Sequence, residues 1–408
     1  MELPTSDDFF KMSVEEFDTN KLLRHASQQR DQRGFDKMLI VDVDAHHYET
    51  ESMGEIVEYV TDPVLKQLMK AARLTGMRGG VTNNRGYQDM GGRVTRYPLR
   101  TLETTPKDGK HRDVHLSLKW MDAIGVDYAC VFPTPMLTLG MHPQAEVEVN
   151  MARAYNRWLC DRVLSGDSRI KSMLYLPFND HQAAYEMVKE FGHRKGVIGF
   201  MVTTVRNKPI FSNDYMKIYG LLQELGLPLA FHSGFSWDDP MMHNATRFIA
   251  VHALGFTWHN VFYCTNWIIN GMPERFPKLK VMWIEGGLAW VTWLAQRLDN
   301  EVKMRSSEVP LLKKLPSEYM KEMYYTAQPM EKPDDLRYLE DTFRMCNAET
   351  QLLYASDYPH WDMDLPSVIY DLPFLSETAK RNILGDNARK LFNLDVSERF
   401  PSTKAAAE

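Results

Sequence analysis

The chain has 408 residues, 44% hydrophobic and 25% charged, the balance of a globular protein with a sizeable core, and its length alone leaves open one large domain or two. A net charge of −6 without any Lys/Arg block argues against nucleic acid as a partner. Cys130, Cys160, Cys264 and Cys346 lie far apart with no C-x-x-C spacing, which suggests neither a disulfide framework nor a thiolate zinc site. No uncharged apolar run is long enough to span a membrane, and an acidic start without a basic-then-apolar leader makes the cytoplasm the expected location.

Residues 1–36 are polar and charged and are expected to form an N-terminal arm packed on the body or on a neighbouring subunit. From 37 to 395 short apolar runs alternate with longer amphipathic segments, and 396–408 read as a C-terminal tail. The runs are 38–43, 128–132, 171–176, 197–203, 229–232, 281–285, 323–326 and 352–356. Residues 145–159 repeat apolar side chains at three- and four-residue spacing, and 213–225 are closed by Gly226 and Pro228; both read as helices. Such alternation predicts an α/β fold of parallel strands, closed as a barrel or left open. No G-x-G-x-x-G follows the first run, so a dinucleotide-binding open sheet loses its main support and a (β/α)8 TIM barrel is expected.

An insertion at about 51–115 interrupts the rhythm after the first strand. Its first part, 53–74, reads as helix, while 76–93 is rich in Gly, Asn and Arg. Loops after strands are where barrels place their sites, so this insertion is expected to cap the mouth. Arg85, Arg93 and Arg96 are candidates to clamp a substrate carboxylate there.

The first run ends in Asp44-Ala-His46, and alternate strand residues share a face, so a carboxylate and an imidazole can grip one cation. His232 and Asp357 each close a later apolar run, and in a barrel all strand C-termini face one opening. Taken singly, His232 reads as a core histidine, Asp357 as a turn former and Asp44 as a helix cap. Their shared position at strand ends favours a metal site instead. Mixed imidazole and carboxylate donors suit zinc, iron or manganese rather than calcium.

The segments Val41-Asp-Val-Asp-Ala-His46, the run ending in His232, Phe276-Pro-Lys-Leu-Lys-Val-Met-Trp-Ile-Glu-Gly-Gly287, Tyr354-Ala-Ser-Asp-Tyr-Pro-His360 and Asn382-Ile-Leu-Gly-Asp-Asn-Ala-Arg-Lys-Leu-Phe392 carry a resemblance. In this order they resemble the amidohydrolase-related (amidohydrolase-2) family, which includes aminocarboxymuconate-semialdehyde and γ-resorcylate decarboxylases. The resemblance implies a metal-dependent hydrolase-type barrel with a divalent cation on Asp44, His46, His232 and Asp357. The leading expectation is hydrolysis or non-oxidative decarboxylation of a small organic substrate, with Asp357 doubling as proton shuttle, Glu285 as base, and His360 either supporting a ligand or facing the substrate.

One position departs from that pattern. The decarboxylases of the family carry a histidine where Glu285 stands, and Glu285 can serve as a base or bind a second cation. Glu49, His252, His259 and His360 are further candidates for such a second, carboxylate-rich position. One or two cations per chain are therefore open, as is an iron-containing two-metal monooxygenase component or a non-catalytic partner subunit. The expected assembly is a homodimer or a hetero-oligomer with a related subunit.

Overall fold

The computed structural model describes residues 19–74, 103–205, 209–232, 234–360 and 362–397. Residues 1–18 of the arm and the Gly- and Arg-rich stretch with Arg85, Arg93 and Arg96 lie outside the described residues.

The strands are β1 (Val41–His47), β2 (Tyr128–Pro133), β3 (Ile170–Tyr175), β4 (Val197–Val202), β5 (Leu229–His232), β6 (Val281–Ile284), β7 (Tyr324–Thr326) and β8 (Leu352–Leu353). They form one eight-stranded sheet in sequence order, each neighbouring pair parallel. Backbone N–H groups of Val43 and His46 reach the carbonyls of Tyr354 (3.0 Å) and Tyr358 (2.7 Å), and that of Asp357 reaches Asp44 (2.8 Å). These bonds fasten the segment after β8 to β1, so the sheet curls into a nearly closed TIM barrel.

The principal helices are α1 (Thr19–Arg33), α2 (Pro63–Leu74), α3 (Arg112–Ile124), α4 (Ala145–Trp158), α5 (His181–Phe191), α6 (Met216–Leu225), α7 (Phe248–Ile269), α8 (Ala289–Arg305), α9 (Leu336–Met345) and α10 (Asn387–Phe392). The described part of the arm packs on the body: α1 buries Leu22, Leu23 and Ala26 and lies against α3. Its last residue, Arg33, forks onto Asp371, with Nε 2.9 Å and Nη2 2.6 Å from the two carboxylate oxygens. Gly125 ends α3 at φ 91°, and a Cβ there would sit 2.9 Å from Arg30 of the arm, so only glycine fits the turn. Among the described residues no helix is long and apolar enough to cross a membrane.

Element boundaries differ from the sequence expectation for local reasons. The single helix expected over 53–74 is broken into short turns, Glu49–Ser52, Met53–Ile56 and Val57–Tyr59, before α2 restarts at Pro63. Proline lacks the N–H needed to continue a helix, and Asp62 caps the new start by accepting from Leu65 N–H at 2.7 Å. The run at 352–356 yields a strand of only two residues, because Tyr354 N–H turns to the carbonyl of Ile383. β1 runs past its apolar stretch, held through Asp44 and His46 by the seam bonds above and by its pairing with β2.

Strand alternation decides which side chains enter the barrel. Phe231 faces outward, stacked on Trp283 with centroids 4.7 Å apart and packed on Tyr263 and Trp267 of α7, which sends its neighbour His232 inward. In β1 His47 faces the helices, between Asp113 (3.0 Å) and the hydroxyl of Tyr155 (2.8 Å), so Asp44 and His46 occupy the opposite face. A register shift between Asp42 and Ala45 inserts an extra residue into β1 relative to β2, a bulge of the kind that re-aims side chains.

Candidate metal centre

Asp44 Oδ1 lies 3.2 Å from Nε2 of both His46 and His232, and the two Nε2 atoms are 3.2 Å apart. Asp357 Oδ1 stands 3.3 Å from His46 Nε2, and Glu285 Oε2 stands 3.7 Å from His232 Nε2. All five side chains are buried. His46 Nδ1 sits 3.0 Å from the carbonyl of Pro133, to which it donates, so its Nε2 carries the lone pair that points at the cluster.

Glu285 reaches the pocket by breaking the rule that placed its neighbours. Continued alternation would send it outward with Trp283, but its φ of 54° turns the chain at the end of β6. Its N–H is held by Thr326 Oγ1 at 3.0 Å. Gly286 follows, where a Cβ would collide with Asn260 Nδ2. Asp357 has the same left-handed backbone, φ 58°, after β8.

The electrostatics are those of a site built around positive charge. Burial alone would raise the carboxyl of Asp44, yet His232 and His46 hold it well below the ordinary carboxylate range. Burial, then the charges of Asp44 and Asp362, push Glu285 well above that range. Burial, then Glu285, Asp362 and Asp44, do the same to Asp357. Burial and the neighbouring imidazole of His46 depress His360 well below a normal histidine. Neither oxygen of Asp44, nor Oε2 of Glu285, has a hydrogen-bond partner although all are buried. Buried carboxylate oxygens set beside two imidazole nitrogens, one of them bearing a lone pair toward the cluster, are expensive unless a cation satisfies them. The residues therefore fit a divalent cation.

Two donor groups overlap here: Asp44, His46, His232 and Glu285 form one, and His46, Asp357 and His360 the other, with donor atoms in each lying within 4.8 Å of one another. His360 Nδ1 is 2.7 Å from Asp357 Oδ1, and its Nε2 is 3.1 Å from Thr134 Oγ1, which itself donates to the carbonyl of His47 at 3.1 Å. With the hydroxyl proton of Thr134 spent on His47, His360 Nε2 is the donor in that contact. Its Nδ1 then accepts, and the proton in the short contact belongs to Asp357.

Other sequence candidates for a second metal position do not join the cluster. Glu49 is buried, but its two oxygens accept the N–H groups of Thr134 (2.9 Å) and Met136 (2.7 Å), so it clamps the loop after β2. Sequence proximity to His46 suggested otherwise because the turn that follows β1 is invisible to periodicity. His252 is half-buried among Phe235, Phe248 and Phe256 and lies 4.0 Å from Asp362. His259 pairs with Asp239 at 2.7 Å.

Three residues that matter were not singled out from sequence. Asp42, one turn of the pleat before Asp44, accepts from Ser356 N–H (2.9 Å) and from its hydroxyl, and stitches β1 to the segment after β8. Burial pushes its carboxyl up to about 8. Thr134 supports His360, and Gln328 donates to Asp357 Oδ2 at 3.2 Å. The D-x-D-x-H spacing of β1 carried a signal for Asp42; nothing in the local sequence marked Thr134 or Gln328.

Among curated proteins, the γ-resorcylate decarboxylase of Rhizobium sp. (strain MTP-10005) is 20% identical over 307 residues, covering 71% of this chain and 90% of the relative. That of Polaromonas sp. (strain JS666 / ATCC BAA-500) is 23% identical over 259 residues, covering 60% and 76%. Among solved structures, the 5-carboxyvanillate decarboxylase of Novosphingobium aromaticivorans DSM 12444, complexed with manganese and 4-hydroxy-3-methoxy-5-nitrobenzoic acid, superposes with a TM-score of 0.63 at 20% identity, covering 88% of this chain and 97% of that one. The amidohydrolase family profile (Amidohydro_2) matches residues 41–394, and the chain belongs to that family.

Proposed function

We propose that this protein is a metal-dependent non-oxidative decarboxylase of an aromatic acid. The observation that carries the reading is the pairing of a buried Asp44–His46–His232 donor set with Asp357, a carboxyl raised well above the ordinary range and hydrogen-bonded to His360. The curated relatives are decarboxylases, which favours decarboxylation over hydrolysis.

Asp44, His46 and His232 would hold the cation, with Asp357 and Glu285 beside them; manganese is the first choice, since a relative binds it. When bound, a divalent cation draws electron density from a substrate oxygen and neutralises charge in the pocket. The chain's residues supply the proton. Asp357 delivers its proton to the ring carbon that bears the carboxylate; the bond to the carboxylate carbon then breaks, its electron pair restores the aromatic ring, and carbon dioxide leaves. Asp357, now ionised, recovers a proton from solvent by way of His360 and Thr134. Burial of the pocket excludes water during the transfer.

The test is anaerobic incubation of manganese-loaded protein with 2,6-dihydroxybenzoate and with 5-carboxyvanillate, measuring carbon dioxide release. Turnover that disappears in Asp357→Asn supports the reading, and no release from a panel of aromatic acids overturns it.

A second reading rests on Glu285. An added carboxylate and two overlapping donor groups suit two cations, and an iron-containing pair would make the protein a monooxygenase component. Two metals per chain including iron, with oxygen-dependent turnover, would establish that reading; one metal per chain with oxygen-independent turnover would end it.

A further inference from the structure

Glu285 enters the pocket because the chain turns left-handed at the end of β6, with φ 54°. That conformation is unfavourable for a residue with a Cβ, and it persists where neighbouring groups enforce it. Hydrogen bonds to the turn come from two sides. Both polar atoms of the peptide that joins Ile284 to Glu285 are taken: the carbonyl accepts from Asn260 Nδ2 at 3.0 Å, and the N–H donates to Thr326 Oγ1 at 3.0 Å. One residue further on, the carbonyl of Gly286 accepts from Thr257 Oγ1 at 3.0 Å. A bonded carbonyl before Glu285 and another after it fix the rotation that aims its side chain inward.

Thr257 and Asn260 stand three residues apart on α7, so they share one face of the helix. A threonine in a helix commonly donates to the carbonyl four residues back, as Thr265 of the same helix does to Val261 at 2.8 Å. Thr257 donates to the turn instead. Asn260 is fully buried, and its Oδ1 has no hydrogen-bond partner among the described residues, so the amide is engaged through its donor end alone, and that end lies on the turn. Gly286 completes the fit, since a Cβ would leave no room for the amide. The same helix packs Tyr263 and Trp267 on Phe231, the residue before His232. Helix α7 therefore braces the strand that ends in His232 and grips the turn that carries Glu285, two side chains that meet at 3.7 Å.

We propose that Thr257 and Asn260 are positioning residues of the metal centre: from the helix layer they hold the turn after β6 so that the Glu285 carboxylate reaches the cation position beside His232. The inference rests on a cation at the Asp44, His46, His232 and Glu285 group and is independent of the substrate. Loss of either bond lets the turn relax out of its left-handed conformation and takes a carboxylate away from the cation, while Asp44, His46 and His232 stay in place.

The experiment is calorimetric titration of the metal-free full chain with manganese for wild type, Thr257→Val, Thr257→Ser and Asn260→Leu, each with Glu285 intact and with Glu285→Ala. Thr257→Val keeps the shape and removes the hydroxyl; it should weaken manganese binding about three- to tenfold, whereas Thr257→Ser, which keeps the donor, should bind within about twofold of wild type. Asn260→Leu should weaken binding at least as much as Thr257→Val. With Glu285→Ala in place, the substitutions in α7 should change affinity by about twofold or less, because no carboxylate remains to be placed. Equal losses in the two backgrounds would mean that the helix acts through general packing and would overturn the inference, as would wild-type affinity in Thr257→Val or an equal loss in Thr257→Ser. Should Asn260→Leu fail to fold, the Thr257 series decides alone. Wild-type affinity in Glu285→Ala would overturn the inference and leave the other three donors standing; no binding by wild type would overturn the metal reading itself and the inference with it.

Discussion

Glu285 and Asp357 hold the same uncommon backbone, φ 54° and 58°, at the ends of β6 and β8, and each carboxylate enters the pocket because of it. The left-handed region costs a non-glycine residue roughly 1–2 kcal/mol, and strain of this sort persists where the surrounding structure enforces it. Glu285→Gly should relieve that strain and remove a buried carboxyl that raises Asp357. The metal-free variant is expected to unfold at a higher temperature than wild type, by about 1 kcal/mol in stability, while binding manganese more weakly. A lower melting temperature in the metal-free variant would refute this account of the turn.

Loading with manganese should stabilise the folded protein by mass action, about 2.7 kcal/mol at a free concentration one hundred times the dissociation constant. His232→Ala deletes a donor that faces Asp44 at 3.2 Å and should lose most of that gain. Thermal denaturation with and without added metal, together with elemental analysis, checks the outcome. An equal rise in the variant would place the cation elsewhere.

For Glu49 the expectation separates a loop clamp from a metal ligand. Glu49→Gln should leave the metal count unchanged and alter the pH dependence of stability. Burial raises this carboxyl from 4.5 to about 7 in the folded protein. Its contribution is complete below pH 4.5, where both folded and unfolded forms are protonated, and it is lost as pH rises through about 7. The full effect is on the order of 3 kcal/mol. Melting temperatures of wild type should therefore fall between pH 5 and pH 8 more steeply than those of Glu49→Gln; parallel curves, or a lost metal, would contradict the clamp.

Arg33 anchors the arm through a forked contact to Asp371, with the arginine buried and the aspartate about one-third exposed. Arg33→Ala should destabilise by roughly 1–3 kcal/mol, less than a fully buried pair would cost because solvent reaches Asp371. Limited proteolysis should then cut within α1 faster than in wild type. Unchanged cleavage would show that Leu22, Leu23 and Ala26 hold the arm without help.

The strand carrying His232 was legible because an apolar run of that length, closed by glycine and proline before and a polar turn after, has few other folds available. Asp44 and His46 were legible for a related reason: period-two alternation survives the bulge in β1. Glu285 was visible as a residue, but not the left-handed turn that brings it inward. Glu49 and His252 were misplaced by the same limitation, since the conformation of a loop after a strand depends on what packs against it, here the N–H groups of Thr134 and Met136 for one and a set of phenyl rings for the other. Gln328 left no trace in pattern or motif, because its partners come from a different strand end.

The seam between β1 and the segment after β8 has a temporal consequence for the cell. The cation's candidate donors include Asp44 from one end of the barrel and Asp357 from the other, and the bonds joining those ends are made only when both are present. A chain still emerging from the ribosome can display the imidazole and carboxylate of β1 for three hundred residues' worth of synthesis without a finished cage to offer. Topology thus orders the site's completion: Asp357 and His360 join the donors of β1 and β5 only in molecules whose last strand has found the first.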